Sequence, residues 1–286
     1  MPLYLLAILA LVQGITEFLP ISSSGHLDLT WIAFHGAGVV PAEIDPRREL
    51  VLDVAVHVGT LGAVCLYYWR DLLAMLTGLA RAVIGRRDPG AKLALLVVLA
   101  TLPVVVVGWL VKDWLPLLKG NLELIGWTTL GFGLLLWLAD RIGMTVRRME
   151  HLRFSDALVL GLAQTLALIP GTSRSGITMT AGRLLGMERS DAARISLLMS
   201  IPTIAAAGLL AGVEMEKMGS ATLSSDAMLA GGLAFGSALV AIAVMMAWLR
   251  RASFLPFVIY RVIVGGGILY LVYSGTLASW GWDAGL

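Results

Sequence analysis

Three short polar stretches interrupt a very apolar chain, and each carries residue types that can do chemistry. Gln13 and Glu17 lie one helical turn apart, on one face of the apolar run from Leu3 to Phe18. An amide oxygen and a carboxylate in that register can hold one hard cation, with water and a substrate phosphate completing the shell. A plain hydrogen bond between packed helices is the other reading of Gln13. The run then breaks at Pro20 into Ser22-Ser23-Ser24-Gly25-His26. Hydroxyls and free backbone N–H groups at a broken helix form a cradle for an anion, and the next helix aims its positive end at it. Ser23, three residues before His26, also allows a nucleophile paired with a base. A polar turn with helix caps is the bland alternative. The third stretch is Ser173-Arg174-Ser175-Gly176, with Thr178 one turn on. A lone arginine flanked by hydroxyls is a bidentate phosphate binder by type. Thr178 could add its hydroxyl or simply cap the helix.

Other polar residues read more plainly. Asp53 and His57, four apart, form a local ion pair or support a metal site from behind; the local pair is favoured. Asp140, Arg141, Arg183, Glu188, Asp191 and Arg194 lie at segment ends and read as topology and salt-bridge residues. Cys65 is a buried apolar side chain with no partner for a disulfide. Trp31, Trp69, Trp109, Trp114, Trp137, Trp248, Trp280 and Trp282 read as anchors at membrane interfaces.

The elements that position these residues belong in a membrane. Hydrophobic residues make up 58% of the 286, charged ones 14%, and the mean hydropathy is +0.86. A soluble domain would carry about a quarter charged residues. The net charge of +2 is too small to point to nucleic acid. No charged leader precedes the first apolar run, so no cleaved signal is expected. Spans are predicted at 51–69, 93–111, 123–140, 192–212, 227–248 and 257–277. A surface amphipathic helix is expected near 71–84, and polar loops over 37–50, 112–122 and 213–226.

Two apolar runs, 3–18 and 156–169, are too short to span. Each ends at a proline followed by a polar loop and a second short run. They predict two re-entrant helix-loop-helix hairpins, because irregular backbone at membrane depth survives only where it lines a cavity or is buried in protein. At an offset of 151, Leu11, Gln13, Ser22, Ser24 and Gly25 match Leu162, Gln164, Ser173, Ser175 and Gly176. Each half reads as a hairpin plus three spans. The expected fold is therefore an all-α polytopic membrane protein with an inverted-topology repeat, about 1–140 and 152–286, in a single integral membrane domain.

Lys and Arg orient it. Loops 70–92, 141–155, 183–194 and 249–253 carry 14, the opposite loops five, and Arg174 and Arg261 complete the 21. With basic loops in the cytoplasm, both termini lie outside. The hairpins then enter from opposite faces and their tips can meet. A carboxylate, a Ser-Gly-His loop and a Ser-Arg-Ser loop at one point make a phosphoryl-transfer constellation. Apolar surroundings imply that the phosphate arrives on a lipid.

Here the sequence resembles the undecaprenyl-diphosphate phosphatases, the bacitracin-resistance family. Gln13-Gly-Ile-Thr-Glu17 is similar to that family's Glu/Gln-x-x-x-Glu motif, and Phe18 to His26 continues the match. Pro170-Gly-Thr-Ser-Arg-Ser-Gly-Ile-Thr178 is similar to its Pro-Gly-x-Ser-Arg-Ser-x-x-Thr motif, and Ala181-Gly-Arg-Leu-Leu-Gly186 and Ser200-Ile-Pro202 add to it. The resemblance implies hydrolysis of undecaprenyl diphosphate to the monophosphate, with Mg²⁺ or Ca²⁺, at the periplasmic side of the bacterial inner membrane. It implies Gln13 and Glu17 as metal ligands and Arg174 as the diphosphate clamp, helped by Ser173, Ser175 and Thr178. Ser23 becomes the candidate nucleophile with His26 as its base; water activated by His26 or Glu17 fits equally. Gln13, where many relatives carry Glu, leaves one charge fewer for the metal.

Two other classes compete. A polyprenyl-phosphate flippase would need the Arg and Ser cradle but not Glu17, Ser23 and His26 set for chemistry. The type 2 phosphatidic acid phosphatases share Ser-Gly-His and Ser-Arg elements, but need a second His; none follows Arg174. Oligomeric state is not readable from the chain.

Overall fold

The computed structural model describes residues 2–36, 46–217 and 225–275. Among them the chain forms twelve α-helices and no strand. In order these are α1 (Leu3–Thr16), α2 (Ser23–Gly36), α3 (Pro46–Tyr67), α4 (Trp69–Val83), α5 (Pro89–Leu110) and α6 (Leu115–Leu118). There follow α7 (Leu122–Ile142), α8 (Phe154–Thr165), α9 (Arg174–Leu184), α10 (Arg189–Lys217), α11 (Ser225–Leu249) and α12 (Leu255–Tyr273). Six of them contain segments long and apolar enough to cross a membrane: α3, α5, α7, α10, α11 and α12. These are the six expected spans. α1, at 14 residues, rises about 21 Å at 1.5 Å per residue, short of the roughly 30 Å hydrocarbon core.

Local sequence sets the helix starts. Asp88 caps α5 by accepting from Gly90 N at 2.8 Å, with Pro89 as first helical residue, where its missing N–H costs nothing. The Arg81 guanidinium, 2.9 Å away, holds the Asp88 carboxyl below its usual range. Asn121 caps α7 by accepting from Leu124 N.

The packing is that of a bundle whose outside is apolar. Leu95, Val98, Leu102, Val106 and Trp109 of α5 are exposed, while Gln13, Gln164, Thr178, Ser196 and Arg261 are fully buried. α11 packs along α3 and α1; α5 packs along α8 and α4; α7 runs beside α12. α9 lies against α7, α8 and α10. Glycine permits the closest approach: a Cβ on Gly59 would stand 2.1 Å from Gly231 O, so α3 and α11 touch backbone to backbone.

Several expectations change in detail. The polar loop expected over 37–50 is helical from Pro46, since α3 starts there; 37–45 lie outside the described residues. The loop expected at 213–226 loses its start to α10, which continues to Lys217, and its end to α11; 218–224 lie outside the described residues. The connection 112–122 contains the one-turn α6. The surface helix near 71–84 is α4, which follows α3 after one residue, Tyr68. Trp69, Trp109, Trp114, Trp137 and Trp248 are exposed, as interface anchors would be. Trp31 is not: it is buried, edge-on to Phe34, with its N–H 3.4 Å from Asp53 Oδ1. Trp280 and Trp282 lie outside the described residues. Most segment-end charges pair: Arg183 and Arg189 both donate to Asp140, Arg148 to Glu188, and Arg194 to Asp71, while Asp191 accepts from Met149 N and Arg141 has no ion-pair partner among the described residues.

Candidate active site

The first polar loop follows the last turn of α1. Glu17 keeps helical dihedrals, and its N–H bonds Gln13 O, so its side chain stays one turn from that of Gln13. Pro20 then removes a donor and the chain turns. Ser22 has φ +76°, a left-handed value that a residue with a Cβ adopts only when its surroundings impose it. That turn lets the Ser22 side chain accept from Gly25 N at 3.4 Å and starts α2 at Ser23. The second loop repeats the device. Ser173 has φ +72°, its Oγ accepts from Gly176 N at 3.1 Å, and α9 starts at Arg174.

The two loops are joined through Glu17. Its Oε1 accepts from Arg174 Nη2 at 2.8 Å, across 157 positions of sequence. Its Oε2 accepts from Ser23 Oγ at 2.7 Å and from Gln13 Nε2 at 2.9 Å. His57 Nε2 stands 3.9 Å from the same oxygen. A carboxylate can only accept when ionised, so it also fixes the Gln13 amide with nitrogen toward Glu17 and Oε1 away. That Oε1 is fully buried and has no hydrogen-bond partner among the described residues. Glu17 is 8% exposed, and Ser23 is half-buried.

Not every expected residue faces this cluster. His26 turns away from Ser23: its Nδ1 lies 2.6 Å from Ser22 O and its Nε2 2.6 Å from Tyr260 Oη. A carbonyl only accepts, so Nδ1 carries the hydrogen, and the neutral ring offers its Nε2 lone pair to the phenol. The two rings stack at 5.6 Å and 15°. Ser24 is exposed; Gly25 is buried, its Cα facing that of Gly171 from the other loop. The hydroxyls of Ser173, Ser175 and Thr178 are spent inside the protein, while that of Thr172 is buried with no partner among the described residues. Ser175 Oγ donates to Leu19 O at 2.8 Å, and lies 3.2 Å from Ser173 Oγ. Thr178 Oγ1 donates to Arg174 O and meets Ser196 Oγ at 2.7 Å. Arg174 also donates to Ser196 O at 3.2 Å, so α10 supports the guanidinium from behind.

Three residues of this neighbourhood lie outside the two loop motifs. Arg261, on α12 and fully buried, donates five hydrogen bonds, all to main-chain carbonyls: Thr128, Thr129, Pro20, Gly171 and Thr172. It therefore ties the tips of both loops to α7 with all five of its donors satisfied. Its charge inside an apolar segment was the available signal. Tyr260 precedes it and offers no signal beyond a tyrosine in a span. His57 is the third. It does not form the side-chain pair with Asp53 that the i,i+4 spacing suggests; its Nδ1 turns back to Asp53 O at 2.7 Å, and Nε2 is left facing Glu17. Glu17, Arg174 and Arg261 together carry one net positive charge, which favours an incoming polyanion.

Known proteins resemble this chain over most of its length. Residues 6–267 match the family model described as bacitracin resistance protein BacA. The chain is 51% identical over 271 residues to "Undecaprenyl-diphosphatase 1" of Rhodospirillum rubrum, covering 94% of this chain and 95% of that protein. It is 50% identical over 277 residues to "Undecaprenyl-diphosphatase" of Ruegeria pomeroyi, covering 96% and 100%. The corresponding protein of Jannaschia sp. is 48% identical over 281 residues, again covering 96% and 100%.

Proposed function

This chain belongs to the bacitracin resistance protein BacA family, and from that premise we propose that it hydrolyses undecaprenyl diphosphate to undecaprenyl phosphate and phosphate. The observation that carries the reading is the buried Glu17 carboxylate, which holds the Ser23 hydroxyl at 2.7 Å and the Arg174 guanidinium of the other loop at 2.8 Å. A nucleophile, an acceptor for its proton and a phosphate clamp stand within hydrogen-bond reach in an apolar bundle.

The diphosphate competes with Glu17 for Arg174, whose planar fork fits two phosphate oxygens. Freed of Arg174, Glu17 takes the proton of Ser23 as its Oγ attacks the terminal phosphorus. The bond from that phosphorus to the bridging oxygen breaks, and the lipid monophosphate leaves. Glu17 hands that proton to the leaving monophosphate; water then attacks the phosphoserine, giving one proton to Glu17, which passes it to Ser23 Oγ as the bond from phosphorus to Oγ breaks and phosphate departs. Ser23, Ser24 and the first N–H groups of α2 cradle the anion. Ser173, Ser175 and Thr178 hold the loop that presents Arg174, Gly25 lets the loops approach, and Gly176 leaves room for Ser173 and Arg261. His26, fixed by Ser22 O and Tyr260, borders the cradle through the shared start of α2 and exchanges protons with the solvent side.

A divalent cation, Mg²⁺ or Ca²⁺, fits the residues present in one respect: the unpartnered buried Oε1 of Gln13 is an oxygen ligand with nothing else to bind. Gln13 and Glu17 would hold it once the Gln13 amide turned its Oε1 toward Glu17, with substrate phosphate supplying the remaining charge. When bound it would neutralise charge developing on the phosphoryl oxygens.

The same reading includes a multi-pass bacterial inner-membrane location, two re-entrant hairpins, and an inverted repeat of about 1–140 and 152–286 within one domain. Paired contacts support the repeat: α1 packs on α11 as α8 packs on α5. The distribution of Lys and Arg supports cytoplasmic loops 70–92 and 141–155 and outer termini; a site opening to the periplasm rests on the family resemblance.

The test is phosphate release from undecaprenyl diphosphate by the purified protein. Release that stops in EDTA and returns with Mg²⁺ or Ca²⁺ is expected; turnover unchanged in EDTA removes the cation. Transfer of lipid phosphate across vesicles without phosphate release would replace hydrolysis by the flippase reading.

A further inference from the structure

The far end of the α7–α12 pair holds a second cluster of guanidinium groups, well separated from Glu17. From Thr128, beside the second loop, to Asp140 is twelve residues of α7, or about 18 Å at 1.5 Å per residue. There a cavity of about 150 Å³ is lined by Trp137, Asp140 and Arg141 of α7, Arg189 at the start of α10, and Phe254 and Leu255 at the start of α12.

Its charge is unbalanced. Asp140 is the only carboxylate in the lining among the described residues, and its oxygens are taken: Oδ1 by Arg183 Nε at 3.0 Å and Arg189 Nε at 2.7 Å, Oδ2 by Phe254 N at 3.3 Å. Arg183 is spent, since its terminal nitrogens donate to the carbonyls of Asp140, Gly143, Met144 and Met187. Arg189 uses only its Nε, and Arg141 has no hydrogen-bond or ion-pair partner among the described residues. Three guanidinium groups against one carboxylate leave two positive charges, with free donors at the cavity wall. The N-termini of α10 and α12 add positive potential to the same space.

Size and surroundings narrow the ligand. A volume near 150 Å³ holds a benzene-sized group, below the roughly 300 Å³ where pockets for whole small molecules begin. It suits a phosphate group. Trp137 and Leu255 at its rim are exposed, and Leu255, Ile259, Val262 and Ile263 continue as an exposed apolar stripe along α12. A hydrocarbon chain attached to the phosphate could lie on that stripe. We infer that this cavity is a second phosphate-binding site, and that it takes the headgroup of an anionic lipid at the end of the bundle carrying the basic loops.

The test uses the purified full chain in nanodiscs, with native mass spectrometry counting retained lipid. Phosphatidylglycerol is the anionic probe, phosphatidylcholine the zwitterionic control, and inorganic phosphate the soluble competitor. Wild type should retain phosphatidylglycerol over phosphatidylcholine. Arg141→Gln should retain it about fivefold less, the factor one cation near a lipid headgroup is worth, and Arg251→Gln, outside the lining, should match wild type. Arg189→Lys, which keeps a charge for Asp140 but loses the fork, should also weaken retention. Phosphate release serves as the check that each variant is folded. Equal retention in Arg141→Gln and Arg189→Lys, or no preference over phosphatidylcholine, overturns the site. Arg141-dependent protection by inorganic phosphate that displaces all lipid keeps the phosphate site and overturns the lipid as its source.

Discussion

Ser22 and Ser173 stand at equivalent points of two loops, with φ of +76° and +72°. Each accepts the N–H of a glycine three residues on, and each hydroxyl lies near that of the serine two residues on, at 3.4 Å and 3.2 Å. Around this common backbone the side chains diverge. Gln164 is satisfied at both ends, donating to Ala100 O and accepting from Thr203; its counterpart Gln13 donates to Glu17 and leaves its oxygen bare. Where the first loop has Glu17, Ser23 and His26, the second has Leu168, Arg174 and Ile177 at the same offset. In the proposed reaction the first loop carries the groups that accept protons and attack, and the second the guanidinium that clamps the phosphate. A common backbone places the two functions face to face, and neither loop is complete without its partner.

The sharpest way to break this division is to remove the group both loops share. Glu17→Gln should lower kcat/KM by about 10²–10³, the range for losing one buried charge-stabilising group at a reacting centre. A variant within tenfold of wild type would mean that Ser23 and Arg174 do not depend on Glu17. Next comes the second loop's contribution. Arg174→Ala should lose about 10²-fold, and Arg174→Lys should recover little, because an ammonium cannot replace a planar bidentate fork. Full activity in the lysine variant would reduce the second loop to a point charge.

Arg261 tests whether the loops are held or merely adjacent. Arg261→Lys keeps the charge but has three donors for five carbonyls. It should cost about 2 kcal/mol of stability, as buried carbonyls lose charged partners, and lower kcat more than it raises KM, since misaligned loops harm the reacting geometry first. Unchanged thermal unfolding in detergent would show that Ser175 to Leu19 and Arg174 to Glu17 suffice to join them.

How much of this was readable in advance depends on range. The six spans follow from local hydropathy, and they lie where composition puts them. Gln13, Glu17, Ser23 and Arg174 are legible because a carboxylate or guanidinium in an apolar segment is costly and so asks for a partner. The partner itself is not legible, because contact across 157 residues depends on packing. Spacing misleads for His26 and His57. Three and four residues along a helix suggest Ser23–His26 and Asp53–His57 pairs, but both imidazoles turn back to a main-chain carbonyl four residues earlier. That bond fixes the ring's direction, and it leaves the other nitrogen facing Tyr260 or Glu17.

The smallest expected effect concerns the backbone the loops share. At a left-handed φ a Cβ costs about 1–2 kcal/mol, while the serine hydroxyl returns part of that as a cap. Glycine at Ser22 or Ser173 removes the strain, loses only a few tenths of a kcal/mol of capping, and adds chain entropy to the unfolded state worth about 0.5–1 kcal/mol. Ser22→Gly and Ser173→Gly should therefore lie within about 0.5 kcal/mol of wild type. Alanine keeps the strain and loses the cap, so Ser22→Ala and Ser173→Ala should each be about 1 kcal/mol less stable. The loss should be larger at Ser173, whose cap bond is 3.1 Å against 3.4 Å. Thermal unfolding of the four variants in detergent decides it. If alanine and glycine behave alike at both positions, the shared φ carries no strain and the loops are alike in sequence only. If they differ at Ser173 but not at Ser22, the second loop alone is rigid, and the first has freedom to close on its substrate.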